Sequence, residues 1–341
     1  MASDRGGMFE RIHGCLVGLA CGDAMGMPTS MMSPDRVREL FPGGISTFRD
    51  APKGHPIHDG LVAGQVTDDT QQALVVANAI LEDGKVVPEG IARRLLEWAE
   101  SINAFGSLLL GPSSLRALTA FREGKSIEES GQFGDTNGAS MRIAPVGIIN
   151  CGDIAKTVDD VALACLPTHN TNIAISGASA VACAIGAGIR GEPSTDSIIE
   201  IALEGAQAGM KKGTPWIGAS IVRRTELALN LVGKSTSVEQ LLRDLYDFVG
   251  AGVATTETVP VCLAIFSYCH GDPVESIKLA ANLGGDADTI GAIVGAISGA
   301  YAGIGSFPRE YVDKLEAVNA LGLKDLAGKL FDHIHRDGAV D

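Results

Sequence analysis

The stretch Asp286-Ala287-Asp288-Thr289-Ile290-Gly291-Ala292-Ile293-Val294-Gly295-Ala296-Ile297-Ser298-Gly299-Ala300 decides how the chain is read. Past its first four residues it has no charge and almost no polar face, so as a helix it belongs inside the protein. A second stretch has the same form. Thr67-Asp68-Asp69-Thr70 stands ahead of Gln71-Gln72-Ala73-Leu74-Val75-Val76-Ala77-Asn78-Ala79-Ile80. Each acidic cluster opens a buried helix and sits at the edge of a core. Carboxylates gathered there must be protonated, paired with cations or bound to metal, because unpaired buried charge is too costly. No matching Arg or Lys lies nearby in sequence. Hard-metal ligation therefore leads, and carboxylate and hydroxyl oxygens suit Mg2+, Mn2+ or Ca2+ rather than zinc. Capping competes with it, since Thr and Asp favour helix starts and the positive end of the helix dipole. A cap needs one acid, however, and each cluster has two.

Glycine follows a pattern around these stretches. Gly14, Gly18, Gly22 and Gly26 are spaced by four, as are Gly291, Gly295, Gly299 and Gly303. On a helix this spacing leaves a stripe without side chains, which lets neighbouring backbones approach closely. Small-residue stripes also pack membrane helices. Here the most apolar run, 290–305, is shorter than a membrane span and begins beside two acids, so it reads as a central buried helix. The expectation is a tightly packed central layer with the acids at its rim.

Helical periodicity dominates the rest of the chain, with about fifteen candidate helices joined by short turns. Ser33-Pro34-Asp35, Gly111-Pro112-Ser113, Thr214-Pro215, Asp272-Pro273 and Phe307-Pro308 place proline where a first helical turn accepts it. Amphipathic segments include 90–103, 237–249 and 274–282. No linker or low-complexity tract divides the chain. The reading is one compact all-α domain over 1–341, with 1–9 as a flexible lead-in. The chain has 341 residues, 45% of them hydrophobic, and a net charge of −14 from 27 basic and 41 acidic residues. That balance argues against nucleic acid and against an anionic membrane as partners, since both reward a basic patch. Cysteines 15, 21, 151, 165, 183, 262 and 269 form no CxxC pair and no zinc spacing. They read as reduced core residues of a cytoplasmic protein. The first residues lack the charged-then-apolar profile of a signal peptide.

Three polar stretches are candidates for holding a substrate. The first is Gly131-Gln132-Phe133-Gly134-Asp135-Thr136-Asn137-Gly138-Ala139-Ser140-Met141-Arg142, with exposed backbone N–H groups and polar side chains suited to a ribose or phosphate. Phe133 is placed to stack on a base. The second is Leu166-Pro167-Thr168-His169-Asn170, where His169 is a candidate donor to a sugar hydroxyl. The third is Gly111-Pro112-Ser113-Ser114, a helix start suited to an anion. An ordinary Gly-rich turn and ordinary caps account for the same residues. His55, His58, His333 and His335 point to nothing specific. No nucleophile elbow, Walker loop or dinucleotide fingerprint occurs in context.

Taken in order, Gly22-Asp23-Ala24-Met25-Gly26, Thr67-Asp68-Asp69-Thr70, Asn137-Gly138-Ala139-Ser140-Met141-Arg142, Thr168-His169 and Gly284-Gly285-Asp286-Ala287-Asp288-Thr289-Ile290-Gly291 resemble one family. It is the ADP-ribosylglycohydrolase family of the dinitrogenase-reductase-activating type, and the resemblance covers about Arg11 to about Tyr301. It implies an all-α fold with two divalent ions, Mg2+ or Mn2+, in a central cleft. Thr67, Asp68 and Asp69 match one set of metal ligands, and Asp286, Asp288 and Thr289 match the other. The loop with Phe133, Thr136, Asn137 and Gly138, together with His169, matches positions that hold ADP-ribose. The chain departs from the family at one place. A Glu that helps bind metal and assists catalysis usually follows the Gly-Asp-Ala motif, and Ser30 stands there.

The resemblance implies a hydrolase in which metals orient the ribose diol and a bound water, with Asp69 or Asp286 as acid/base. Three functions remain open from the sequence. They are removal of ADP-ribose from a modified protein, hydrolysis of a free nucleoside or ribosyl metabolite, and a non-catalytic, crystallin-like role.

Overall fold

The computed structural model of the chain describes residues 5–336. Eighteen α-helices follow one another: α1 (Arg5–Gly26), α2 (Pro34–Leu40), α3 (Asp68–Asp83), α4 (Pro88–Ser101), α5 (Pro112–Arg122) and α6 (Ile127–Gly131) come first. Next are α7 (Gly138–Met141), α8 (Ala144–Ile149), α9 (Ile154–Cys165), α10 (Asn172–Arg190), α11 (Thr195–Gly209) and α12 (Ile221–Lys234). The last are α13 (Val238–Asp244), α14 (Thr255–Tyr268), α15 (Pro273–Leu283), α16 (Ala287–Ala302), α17 (Arg309–Asn319) and α18 (Leu323–Arg336). Among the described residues there is no strand, only three isolated bridges. The all-α expectation holds. The helix number rises above fifteen because α6, α7 and α8 are too short to show a period.

The two glycine stripes face each other. A methyl group on Gly22 would lie 1.9 Å from the Gly291 carbonyl oxygen, and one on Gly18 would lie 2.0 Å from that of Gly295. Gly14 meets Gly299 and Gly26 meets Ala287 in the same way. The rising numbers on one helix meet falling numbers on the other, so α1 and α16 run antiparallel, backbone against backbone. No residue with a Cβ fits this contact without displacing main chain. The consequence for the site is direct: the C-terminal end of α1, with Asp23, is brought to the N-terminal end of α16, with Asp286 and Asp288.

Helices α10 and α14 complete the centre. From Ile173 to Ile189 every residue of α10 is buried. By length and composition α10 is the one described helix apolar enough to cross a membrane, yet 94% of that window is buried inside the protein. It is a core helix. Around this centre lie amphipathic helices such as α18, whose Leu323, Leu326, Ala327, Leu330 and Ile334 form one apolar face. Six of the seven cysteines are buried and all seven are free.

Two expectations change. Thr214-Pro215 does not open a helix. Thr214 forms a bridge to Thr171 instead, and α12 begins later, capped by Ser220. Of the lead-in expected over 1–9, residues 5–9 already belong to α1. Residues 1–4 lie outside the described residues.

Candidate active site

The two acidic clusters meet. Asp23 is the hinge of the arrangement. It is a fully buried acid on α1, and its carboxylate accepts hydrogen bonds from the backbone N–H of Thr67 (3.0 Å) and of Thr70 (3.1 Å) and from the Thr70 hydroxyl (2.5 Å). The Thr67 hydroxyl lies 2.8 Å from Asp23 Oδ1 and 3.1 Å from Asp69 Oδ2. An anion at a helix N-terminus satisfies orphan donors and meets the positive end of the dipole. Asp23 thus ties the start of α3 to the end of α1, where the glycine contact has already brought the start of α16. Sequence reasoning had not counted Asp23 among the site residues. Its signal was the one charged residue in the apolar stretch 14–26.

Thr67 does cap α3, accepting from the Asp69 N–H at 3.4 Å. Asp286 occupies the corresponding place before α16 and caps nothing. Its Oδ2 accepts from the Asn137 side-chain amide at 2.5 Å. Asp288 is held at both oxygens. The Ser30 hydroxyl donates to Oδ1 at 2.6 Å, and His58 Nε2 lies 2.8 Å from Oδ2. The Thr289 N–H also reaches Oδ1, at 3.0 Å. Ser30, where the family usually has Glu, is therefore inside the cluster. His58, which by sequence pointed to nothing specific, is the imidazole bonded directly to Asp288.

The backbone under these side chains is stapled. Gly285 exchanges hydrogen bonds with Met31 (2.5 Å) and Met32 (2.7 Å), and Asp286 N–H donates to the Ala251 carbonyl at 2.7 Å. Gly285 has φ +70°, and a Cβ there would lie 2.1 Å from the Ala251 oxygen. Only glycine satisfies both constraints.

Charge is unevenly compensated. Burial, then the neighbouring Asp68, pushes Asp69 well above the usual carboxylate range. Asp68, partly exposed, is raised by desolvation and then by the charge of Asp288. Burial lifts Asp286 to about 7 and Asp23 to about 6. Asp288 differs. Burial pushes it up too, but the His58 hydrogen bond and charge with the Ser30 hydroxyl outweigh that, and it ends below its ordinary value. Asp69 Oδ1 is buried without a hydrogen-bond partner. Among the described residues, no group of three or more His, Cys, Asp or Glu side chains already has the arrangement of a metal cage.

The polar loop borders the same place. Asn137 joins it directly to Asp286 and also donates to the Thr258 hydroxyl at 2.9 Å. Ser113, at the start of α5, accepts from the Asp135 N–H at 3.4 Å. Phe133 is 42% exposed and packs on Trp216, with ring centroids 5.4 Å apart. His169 is fully buried against Gly138, where a Cβ would come within 2.9 Å of its ring. Its Nε2 pairs with the Thr136 hydroxyl at 3.0 Å, and its Nδ1 with the Thr168 hydroxyl at 2.8 Å. Both ring nitrogens are thus engaged by threonine hydroxyls. Burial and then Arg142 hold His169 well below the usual imidazole range, hence neutral.

Arg142, like Asp23 and His58, has no role legible in the sequence. Its guanidinium is fully buried and donates to Gln72 Oε1 (2.6 Å) and to the Thr168 hydroxyl. Gln72 in turn donates to Asp68 at 2.9 Å. One buried cation therefore connects the acid cluster to the loop that carries Thr136 and Asn137.

Comparison with known proteins points to one family. The ADP-ribosylglycohydrolase family profile matches residues 4–339. The chain is 40% identical over 333 residues to the uncharacterized protein YegU of Escherichia coli (strain K12), covering 97% of this chain and 99% of that one. It is 28% identical to the ADP-ribosylarginine hydrolase Tri1 of Pseudomonas putida (strain GB-1), over 98% of this chain and 81% of that one. Among solved structures, an ADP-ribosylglycohydrolase-related protein complex superposes with a TM-score of 0.70 at 24% identity, over 96% of this chain and 99% of the other, which speaks to the fold. Fold, motif order and profile agree: this chain belongs to the ADP-ribosylglycohydrolase family.

Proposed function

We propose that this protein is a divalent-metal-dependent glycohydrolase that cleaves the anomeric bond of an ADP-ribosyl group carried by a protein or a small molecule. The observation that carries the reading is the meeting of Asp23, Asp68, Asp69, Asp286 and Asp288 around a single bonded imidazole. Four of these five carboxylates are raised, so the cluster is short of positive charge. The unpartnered Asp69 Oδ1 is an open donor of the kind a hard ion takes. The residues fit two ions, Mg2+ or Mn2+, with Thr67, Asp68 and Asp69 on one side and Asp286, Asp288 and Thr289 on the other. Waters would complete the shells, as is usual for magnesium. When bound, the ions would supply Lewis-acid polarisation and orient the ribose diol.

The chain's own residues supply the rest. Asn137 and Thr136 would hydrogen-bond a ribose or phosphate, with His169 fixing the Thr136 hydroxyl. Phe133, backed by Trp216, offers an aromatic face to a base. Asp286, bonded by Asn137 beside the other acids, is a candidate acid/base for the leaving group. Asp69 is the candidate to take the proton from the attacking water. The free thiols fit a reducing compartment, the cytoplasm. The test is release of ADP-ribose from ADP-ribosyl-arginine and from ADP-ribosylated protein, with Mg2+ or Mn2+ and with chelator. Chelator-sensitive release supports the reading; no release from either substrate with either metal sinks it.

A further inference from the structure

The segment 41–67 between α2 and α3 is long for a connection without helices of its own, and such segments tend to be functional. It is pinned at several points. Asn282 bonds both the N–H and the carbonyl of Ile45 (2.7 and 2.8 Å), the Tyr311 hydroxyl donates to the Ser46 carbonyl (3.0 Å), and Asn319 bonds Gly64 and Val66. Most of the segment is exposed or half-buried, yet His55 and His58 are buried. His55 Nδ1 accepts the His58 backbone N–H at 3.0 Å and shapes the turn from below. The turn delivers His58 Nε2 to Asp288, 230 positions away in sequence. Ser30 reaches the other oxygen of the same carboxylate from 258 positions away.

We infer that His58, together with Ser30, is a positioning residue that locks the Asp288 carboxylate in one orientation for ion binding, where the family's usual Glu is missing. The inference rests on the metal reading above. A carboxylate oxygen has two lone pairs, so Oδ2 keeps one for an ion after His58, while Oδ1 is held by both the Ser30 hydroxyl and the Thr289 N–H. Two donors on opposite oxygens prevent the carboxylate from rotating. Outer partners of this kind orient metal ligands, and losing one usually costs about 10–100-fold in affinity.

The test is calorimetric titration of the full chain with Mn2+, alongside the melting temperature of the metal-free protein. His58→Ala should weaken Mn2+ binding by about 10–100-fold. His58→Gln, whose amide reaches the Nε2 position, should recover much of the loss. Ser30→Ala, the smaller change, should weaken binding in the same direction and serves if His58→Ala does not fold. Unchanged or tighter Mn2+ binding in His58→Ala, or in Ser30→Ala if only that variant folds, overturns the inference; tighter binding would mean that the imidazole competes with the ion. If the unaltered protein itself binds no Mn2+, the metal reading falls and takes this inference with it. If the unaltered protein binds and the variants bind equally well, only the inference fails.

Discussion

At the start of α3 the acids of one cluster face another acid. Asp23 closes that helix end from below, Asp69 keeps an oxygen without a partner, and both are pushed upward by burial and like charge. At the start of α16, Asp288 is met by an imidazole and a hydroxyl and ends below its ordinary value. The two clusters have nearly the same composition and the same place on a buried helix. Their difference comes from what the rest of the chain brings to each. Buried carboxylates cannot be read one at a time, since a partner hundreds of positions away decides whether a charge is stored or settled.

The contrast is broken most sharply at Asp69 and Asp288. Asp69→Asn removes a charge that nothing compensates, so the metal-free protein should gain stability at pH 8 while ADP-ribose release falls about 10²–10⁴-fold. Asp288→Asn removes one side of a buried pair and should cost about 3 kcal/mol or more in the metal-free protein. Urea unfolding in chelator measures both, and shifts of the same sign would refute the contrast.

The glycine contact is what brings the clusters together. Gly22→Ala puts a methyl 1.9 Å from the Gly291 oxygen and must part α1 from α16. Overpacking of this kind typically costs about 1–3 kcal/mol. Mn2+ affinity should fall with it. An alanine variant with unchanged melting temperature and unchanged binding would show that the close contact does not set the site.

The pH dependence follows from the raised groups. Asp286 and Asp23 titrate at about 7 and about 6 in the fold and near about 3.9 unfolded. Between those values the folded protein holds more protons, so metal-free stability should fall as pH rises from about 4 to about 7. Asp288 works the other way at the acid end: its contribution is present above about pH 4 and is lost as pH drops below that. Saturating Mn2+ should flatten the fall, and Asp286→Asn should remove its upper part. A melting temperature that climbs steadily from pH 4 to pH 7 in chelator would contradict the account.

The smallest effect belongs to the rim. Phe133 is partly exposed and carries an aromatic contact worth about 1 kcal/mol. Phe133→Ala should raise KM for an ADP-ribosyl substrate about five- to tenfold, with kcat and stability little altered. A kcat loss without a KM change would move Phe133 from binding to chemistry.

Much of this protein was legible from its residues in order. The apolar runs behind Asp68 and Asp286 require buried helices whatever surrounds them, because their side chains leave no face for water. The four-residue glycine spacing announces a close backbone contact, because a stripe without Cβ atoms has little other use in a long apolar helix. The polar loop around Asn137 and its junction with the acids were also within reach. Three things were decided only by the tertiary structure. Asp23 reads locally as one acid in a core helix, and its four donors exist only once α3 is placed. His58 sits in an irregular segment with no period, so nothing near it in sequence shows that it reaches Asp288. His169 reads as an open donor until Thr136 and Thr168 engage both its nitrogens. Sequence determined which elements form, because periodicity and side-chain volume are local properties. The state of each charge was left to the fold, because solvation and Coulomb interaction depend on distances in space and not along the chain.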